Sequence, residues 1–413
     1  MARKELDWQN GAVLENHTRK KHSILTEYFR AYLLTRCCLP QQDRFRLAIV
    51  DGFAGGGKYQ CGSFGSPLLF VDTLVKTAHE INTRRAVNGL KRIDIECLLL
   101  LNDYDPGTLE LLKQNIAPLL AHADESEPAV HIKCEFSSGV FEAIYPDIKA
   151  RLKQAKCNNV LFNLDQYGYS KVPTGILRDI ISSWKRAEIL LTFTITALLA
   201  FLSPRNKRKA GVPLEPEVQE KINQILDDEQ LLNKNRWLGE AEKIVFDHLK
   251  ACAPFVSPFS IQNPGGGWRY WLMHFANSYR ARQVYNNVLH ESDSSQGHFG
   301  RTGLNMLAYD PSADQGHLYL FDFDSRALTR DALTEDIPRM IAESGDAISI
   351  EDFYAAAYSE TPAHSDDIHE SMITNPEIEV ITPNGGKRRE ASAIKVNDTL
   401  KLTSQRVFSF GSG

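Results

Sequence analysis

Three short stretches of this chain carry residue types whose spacing could do chemistry. In FRLAIVDGFAGGGKY (residues 45–59) an apolar run ends at Asp51 and passes into Gly52, Gly55, Gly56 and Gly57. Glycines just beyond a strand let backbone approach a ligand closely, because no Cβ intervenes. In LLLLNDYDP a second apolar run stops at Asn102-Asp103-Tyr104-Asp105-Pro106. A carboxylate at a strand's C-terminal end can accept hydrogen bonds from both hydroxyls of a ribose, and Asp103 stands in that place. Asp105-Pro106 reads as the cap and first turn of the following helix. Two acidic strand ends beside a glycine loop suit a nucleoside-bearing cofactor better than a bare phosphate. The third stretch, FNLDQYGYSKVP, sets Asp165, Gln166, Tyr167 and Gly168 at the end of another apolar run.

Positioning these groups requires strands that end on one edge. Apolar runs at about 45–50, 94–101, 129–136, 159–164 and 187–194 read as strands, each followed by a helical pattern (67–80, 106–121, 138–154, 173–185 and 196–202). Strands separated by helix-length crossovers imply a parallel sheet covered on both faces, a doubly wound α/β domain. Ahead of it, residues 17–36 put Ile24, Leu25, Tyr28, Phe29, Tyr32 and Leu33 on one helical face. SPFSIQ and RYWLMHFAN are joined only by NPGGGW, a connection short enough for a hairpin and too short for a parallel crossover. Five parallel strands closed by such a hairpin are the Rossmann-like layout of class I methyltransferases, whereas a dinucleotide-binding domain has a sixth parallel strand.

The expected division is an N-terminal amphipathic segment (1–40), an α/β domain (41–291) with a helical insertion at about 204–252, a linker and strand (292–325), and a C-terminal α+β domain (326–413). In the last, helical patterns at about 326–343, 349–358 and 364–374 precede two strands around a Gly-Gly turn, which resembles a winged helix.

Composition excludes several classes. The 413 residues are 43% apolar and 24% charged, as in ordinary globular chains, and the net charge of −5 gives no global basic signature. Seven cysteines, with no Cys-x-x-Cys pair, argue against a disulfide framework or zinc site and for reduced thiols in the cytoplasm. No apolar h-region opens the chain and no apolar run reaches membrane-spanning length, so no membrane partner is expected. The histidines are scattered, and no metal site is expected.

Asp51-x-Phe53-Ala54-Gly55-x-Gly57 resembles motif I of S-adenosylmethionine methyltransferases. The resemblance implies that the loop backbone approaches the cofactor's amino-acid part while Asp51 binds its ammonium, directly or through water. Gly52-x-x-x-x-Gly57-Lys58 also nearly spells a phosphate loop, with Tyr59 where Ser or Thr belongs. A phosphate loop must open a helix at its lysine, and YQCGSFGSP delays it; a plain strand-to-helix turn is the third reading. In CEFSSGVFEAI, Phe136 could stack on an adenine and Ser137 hydrogen-bond it, unless Ser137 or Ser138 is an ordinary helix cap. In methyltransferases acting on exocyclic base nitrogens, a loop such as Asp-Pro-Pro-Tyr follows the fourth strand and holds the target amine toward the methyl donor. Asp165 and Tyr167 are the catalytic candidates on that pattern, with Gln166 replacing the proline whose fixed φ helps present the acceptor; a polar strand-end loop is the other reading. No Pro-Cys pair occurs, so cytosine C5 chemistry lacks its nucleophile.

Basic groups cluster at Arg205, Lys207, Arg208 and Lys209, and again at Lys387, Arg388 and Arg389, as phosphate-contacting residues of RNA or DNA would or as solvated loops do. Taken in order, KHSILTEYFRAYL, VDGFAGGGKYQCGSFGSPLLF, LLLLNDYDP, LDQYGYSKVP, YWLMHFAN and VITPNGGKRREASAIKVNDTLKL resemble the three-Cys-motif partner proteins, TcmP, over most of the chain. The resemblance implies a radical-SAM-like partner bearing the three cysteines, and mobile-element or defence gene sets. Two functions follow: a methyltransferase using S-adenosylmethionine on nucleic acid, or a degenerate methyltransferase fold kept as an adaptor.

Overall fold

Strand β1 (Arg44–Asp51) shows how the sheet is built: Leu47 and Ile49 enter one apolar layer, Ala48 and Val50 the other. Successive side chains of a strand point to opposite faces, so a strand apolar throughout must be covered twice. The computed structural model describes residues 7–166, 168, 170–195, 198, 218, 220–221, 224, 234–262, 269–291, 297–299, 302–304 and 318–403. Within them, β1 pairs in parallel with β2 (Asp94–Asp103) and β4 (Asn159–Leu164), β2 with β3 (Val130–Ser138), and β4 with β5 (Arg186–Phe193). The hairpin is present as β6 (Phe255–Gln262) and β7 (Arg269–Ala276), and β7 pairs antiparallel with both β5 and β6. The order is β3-β2-β1-β4-β5-β7-β6, extended by the short β8 (Gly297–Phe299) and β9 (Leu318–Leu320).

Helices α1 (Asn16–Arg36), α2 (Ser66–Val87) and α3 (Pro106–Ser126) pack on one face. The other face carries α4 (Phe141–Gln154), α5 (Thr174–Ser183) and α6 (Lys234–Lys250). Helix α7 (Tyr279–Glu291) joins the first group through Tyr285, Val288 and Leu289. Helix α2 begins at Ser66, eight residues after Lys58, which removes the phosphate-loop reading. The expected helix at 196–202 and the part of the expected insertion before residue 234 fall largely outside the described residues, as does the Gly-rich connection 263–268. All seven cysteines are free thiols. Among the described residues no helix is long and apolar enough to cross a membrane.

The C-terminal part consists of α8 (Phe323–Glu343), β10 (Ala347–Ser349), α9 (Ile350–Glu360), α10 (Ser365–Thr374), β11 (Ile378–Ile381) and β12 (Thr399–Leu402). Its sheet is antiparallel in the order β10-β12-β11, and the segment between β11 and β12 forms a wing. Leu333, Ile337, Phe353, Tyr358, Ile368, Met372 and Leu400 close its own core.

This domain is fastened to α7. Asn287 Nδ2 donates to Ser365 Oγ (2.8 Å) and Asn287 Oδ1 accepts from the Ser365 amide (3.0 Å), while Asn286 Nδ2 donates to the Thr361 carbonyl (3.0 Å). Arg282 is fully buried there with one long bond, Nη2 to the Thr361 carbonyl at 3.3 Å. Burial pulls its pKa down to about 9, and its Nε and Nη1 have no partner among the described residues. A buried charge so poorly compensated costs more than it returns. Arg282→Met should therefore stabilise the protein by about 1 kcal/mol in urea denaturation; a loss of stability would show that the guanidinium holds the two domains together.

Candidate functional site

The ends of β1, β2 and β3 are stitched together by Asn102, whose Nδ2 donates to the carbonyls of Gly52 and Gly139, both at 3.0 Å. The glycine loop is then fixed from below: the Gly55 amide donates to Asp103 Oδ2 (3.0 Å), and Asn115 Nδ2 donates to the Gly56 carbonyl (2.7 Å). The other Asp103 oxygen accepts from the Asp105 amide (3.0 Å), and Asp105 caps α3 through the Thr108 amide (2.8 Å). Gly55 has φ +62°, in the left-handed region, and a Cβ there would lie 2.4 Å from the Trp8 indole. Gly57 turns inward, where a Cβ would meet Leu112 and Leu68. The two glycines serve different needs: Gly55 the contact above the loop, Gly57 the core below it.

Above this edge lies a cleft of about 200 Å³. Gly52, Phe53, Asp103, Tyr104 and the turn 139–141 line it, and the N-terminal segment from Asp7 to Gln9 covers it. Trp8 also meets the Tyr59 ring at 5.0 Å, which ties that segment to the glycine loop. Lys171, from the segment after β4, lines the same cleft with its Nζ 6.0 Å from the Tyr104 ring.

Of the residues singled out in the sequence, Phe53 and Asp103 line the cleft and Gly55 supports it. Asp51 does not line it. Its side chain is fully buried, accepting from the Phe53 amide (3.3 Å), from Asn163 Nδ2 (3.1 Å) and from Ser66. Burial raises its pKa to about 6, against the lowering pull of Ser66 and Asn163. Phe136 packs against the core beneath Lys113, and the Ser137 hydroxyl donates to Asn102 Oδ1 (3.3 Å); neither lines the cleft. Tyr104 and Val140 are the exposed side chains at the place expected for them. Trp8, Tyr104 and Lys171 were missed: Trp8 lies outside the quoted stretches, while Tyr104 and Lys171 lie inside them but are neither their glycines nor their aspartates. The spacing of Tyr104, one residue past Asp103, was the one signal available for it.

The raised pKa makes Asp51 a stability sensor. Between pH 4 and 6 the folded state holds its proton while the unfolded state has lost it. The stabilisation is therefore full below pH 4 and lost as pH rises through 6. Asp51→Asn should raise stability at pH 7 by about 1–2 kcal/mol and flatten the pH dependence between 4 and 6 in urea titrations. An unchanged pH profile would show that Asp51 ionises normally.

Asp165 follows β4 as expected, but it is taken up by α1: Lys21 Nζ donates to its Oδ2. Burial pushes the Asp165 carboxyl up, but Lys21, Thr192 and His22 outweigh it and hold the pKa below the usual carboxylate range. His22 is kept neutral, its pKa lowered to about 3 by burial and by Lys21. Gln166 turns inward, its Oε1 accepting from the amides of Lys171 (2.8 Å) and Val172 (3.1 Å), so it shapes the loop in the proline's stead. Tyr167 lies outside the described residues, as do Arg205, Lys207, Arg208 and Lys209.

In the wing, Arg388 makes a bidentate pair with Asp398 (2.9 and 3.0 Å) and Lys387 pairs with Glu379. Of the basic triplet, Arg389 is exposed and has no carboxylate partner among the described residues. Residues 308–385 match the family model of the GMT-like wHTH domain. No curated protein matches the chain.

The winged helix is oriented unusually for a major-groove reader. Helix α10, third of its helices, exposes Asp366 and Glu370 and carries no lysine or arginine. The start of a recognition helix normally meets base edges, yet here Ser365 and Asp367 are buried, Ser365 against α7 and Asp367 under Arg326 and Arg330.

Proposed function

We propose that this chain is an S-adenosylmethionine-dependent methyltransferase of the three-Cys-motif partner type that acts on nucleic acid. The observation that carries the reading is the strand order β3-β2-β1-β4-β5-β7-β6 with β7 alone reversed, the arrangement the sequence comparison set against a sixth parallel strand. The cleft lies at the C-terminal edge of that sheet, where open α/β sheets bind ligands. The wHTH match supports the family, since GMT-like domains are associated with three-Cys-motif partner proteins, and it supports a nucleic-acid substrate.

The residues of the cleft fit the cofactor. Each Asp103 oxygen accepts a backbone amide, which sets the carboxylate at the strand end where two ribose hydroxyls would meet it. Asp7, Asp103 and Asp105 against Lys171 leave the lining net acidic, which favours a sulfonium. The cofactor would supply an electrophilic methyl group; the protein's task is placement of the acceptor and exclusion of water. Trp8 and Gln9 close the cleft from above, and Asp165 stands at the end of β4 with Lys21 as its counter-ion.

The adaptor reading has its own support in that pair: a carboxylate already committed to an ammonium is a poorer acceptor for an incoming amine. Titrating S-adenosylmethionine into the full chain by calorimetry tests the cofactor, and absence of binding removes the reading. Transfer of a labelled methyl group to RNA, DNA or the radical-SAM-like partner then separates enzyme from adaptor.

A further inference from the structure

A cavity larger than the cleft lies at the other end of the sheet. It measures about 620 Å³ and opens beside the first residues of β1 and β5, roughly 20 Å from the glycine loop along β1. Four cations surround it: Arg36 from the last turn of α1, Lys185 and Arg186 at the start of β5, and Arg280 at the start of α7. None of the four has a carboxylate partner among the described residues. Arg36 donates to the Asn159 side chain and Arg280 to Gln283, both neutral.

Many of the chain's other cations are paired. Arg30, Arg46, Lys149, Arg151 and Arg326 are each matched with a carboxylate, in a chain where acidic residues outnumber basic ones by 52 to 47. Four uncompensated cations converging on one cavity have room for an anionic ligand.

The walls say what kind of anion. Tyr32 and Tyr28 contribute aromatic surface. The cavity's one carboxylate, Glu188, is buried and hydrogen-bonded through Oε2 by the Tyr28 hydroxyl, with His274 Nε2 3.4 Å away. His274 is held neutral by burial. Glu188 Oε1 has no hydrogen-bond partner among the described residues, which leaves a fixed acceptor facing N–H donors. We propose that this cavity binds a purine nucleotide, its phosphates against Arg36, Lys185, Arg186 and Arg280 and its base N–H groups toward Glu188. The site is separate from the methyl-donor cleft and does not depend on that assignment.

The nucleotide can be free or be the 5′ end of a nucleic-acid strand, and one experiment distinguishes them. ATP, GTP, tripolyphosphate and a short RNA with or without a 5′-phosphate are titrated into the full chain and into Lys185→Glu/Arg186→Glu, whose side chains are exposed and unpaired. A purine nucleotide or the 5′-phosphorylated RNA should bind, and the double variant should weaken that binding at least about tenfold with an unchanged circular dichroism spectrum. Binding of the RNA alone assigns the ligand to a strand end; binding of ATP or GTP assigns a free nucleotide. Failure of every probe, equal binding by the double variant, or tripolyphosphate matching the nucleotides would overturn the proposal.

Discussion

Asp103→Asn is expected to weaken S-adenosylmethionine binding about 100-fold, with the fold retained. The proposed contact is two charge-assisted bonds from ribose hydroxyls to one carboxylate, each stronger by roughly 1 kcal/mol or more than its neutral counterpart. An amide offers one acceptor oxygen, already needed by a backbone amide at 3.0 Å. Its NH2 group would face a donor, so one ribose hydroxyl loses its partner outright. The sum is about 2–3 kcal/mol, or roughly two decades in Kd. Calorimetry measures it, with thermal denaturation as the control for the Gly55 and Asp105 amides. A loss below threefold would place the ribose elsewhere and leave Asp103 as a brace for the glycine loop.

The sheet was legible because its strands are apolar on both faces, and runs such as LAIV and LLLL have one architecture open to them. The hairpin was legible from the shortness of NPGGGW. Helix α7 was not, and the cause is chemical: beside Tyr285, Val288 and Leu289 it also buries Arg282, Gln283 and Asn286 against the winged helix, so polar residues interrupt its apolar face. Strand β10 has three residues, too few for alternation to be seen. At the site, the glycines and Asp103 declared themselves through spacing, whereas Trp8 reaches the cleft, and Lys21 reaches Asp165, from segments distant in sequence. The burial of Asp51 away from the cleft was equally hidden, since a strand-end aspartate reads the same whichever way its carboxylate turns.

The two ends of the sheet thus carry opposite charge. The cleft over β1 and β2 is lined by Asp7, Asp103 and Asp105, and the cavity beneath β1 and β5 by three arginines and a lysine. A cationic sulfonium and an anionic phosphate would each be drawn to its own end and repelled from the other. The winged helix adds no comparable basic surface among its described residues, because Lys387 and Arg388 are neutralised by Glu379 and Asp398. If nucleic acid is the substrate, the sheet's basic end offers a stronger hold on phosphates than the wing does.

Lys21→Ala is the second change with a large expected effect, because it removes the counter-ion of Asp165 and nothing else replaces it. Breaking a buried pair from one side costs about 3–5 kcal/mol. Here 27% of the Asp165 side chain is exposed, so water screens part of the loss and about 2 kcal/mol is expected at pH 7. The pH dependence identifies the cause. In the native protein the pKa of Asp165 is below the ordinary value, so its contribution is present above the unfolded pKa and lost as pH falls through the folded one. Without Lys21, burial outweighs the hydrogen bond from Thr192 and the pKa rises above the ordinary value. The destabilisation should then shrink as pH falls from 7 toward 4, where the variant's Asp165 is protonated. Urea denaturation at the two pH values measures this. A penalty equal at both would mean that Lys21 acts by packing, while Lys21→Ala combined with Asp165→Leu should recover most of the stability lost at pH 7, since the stranded charge is gone.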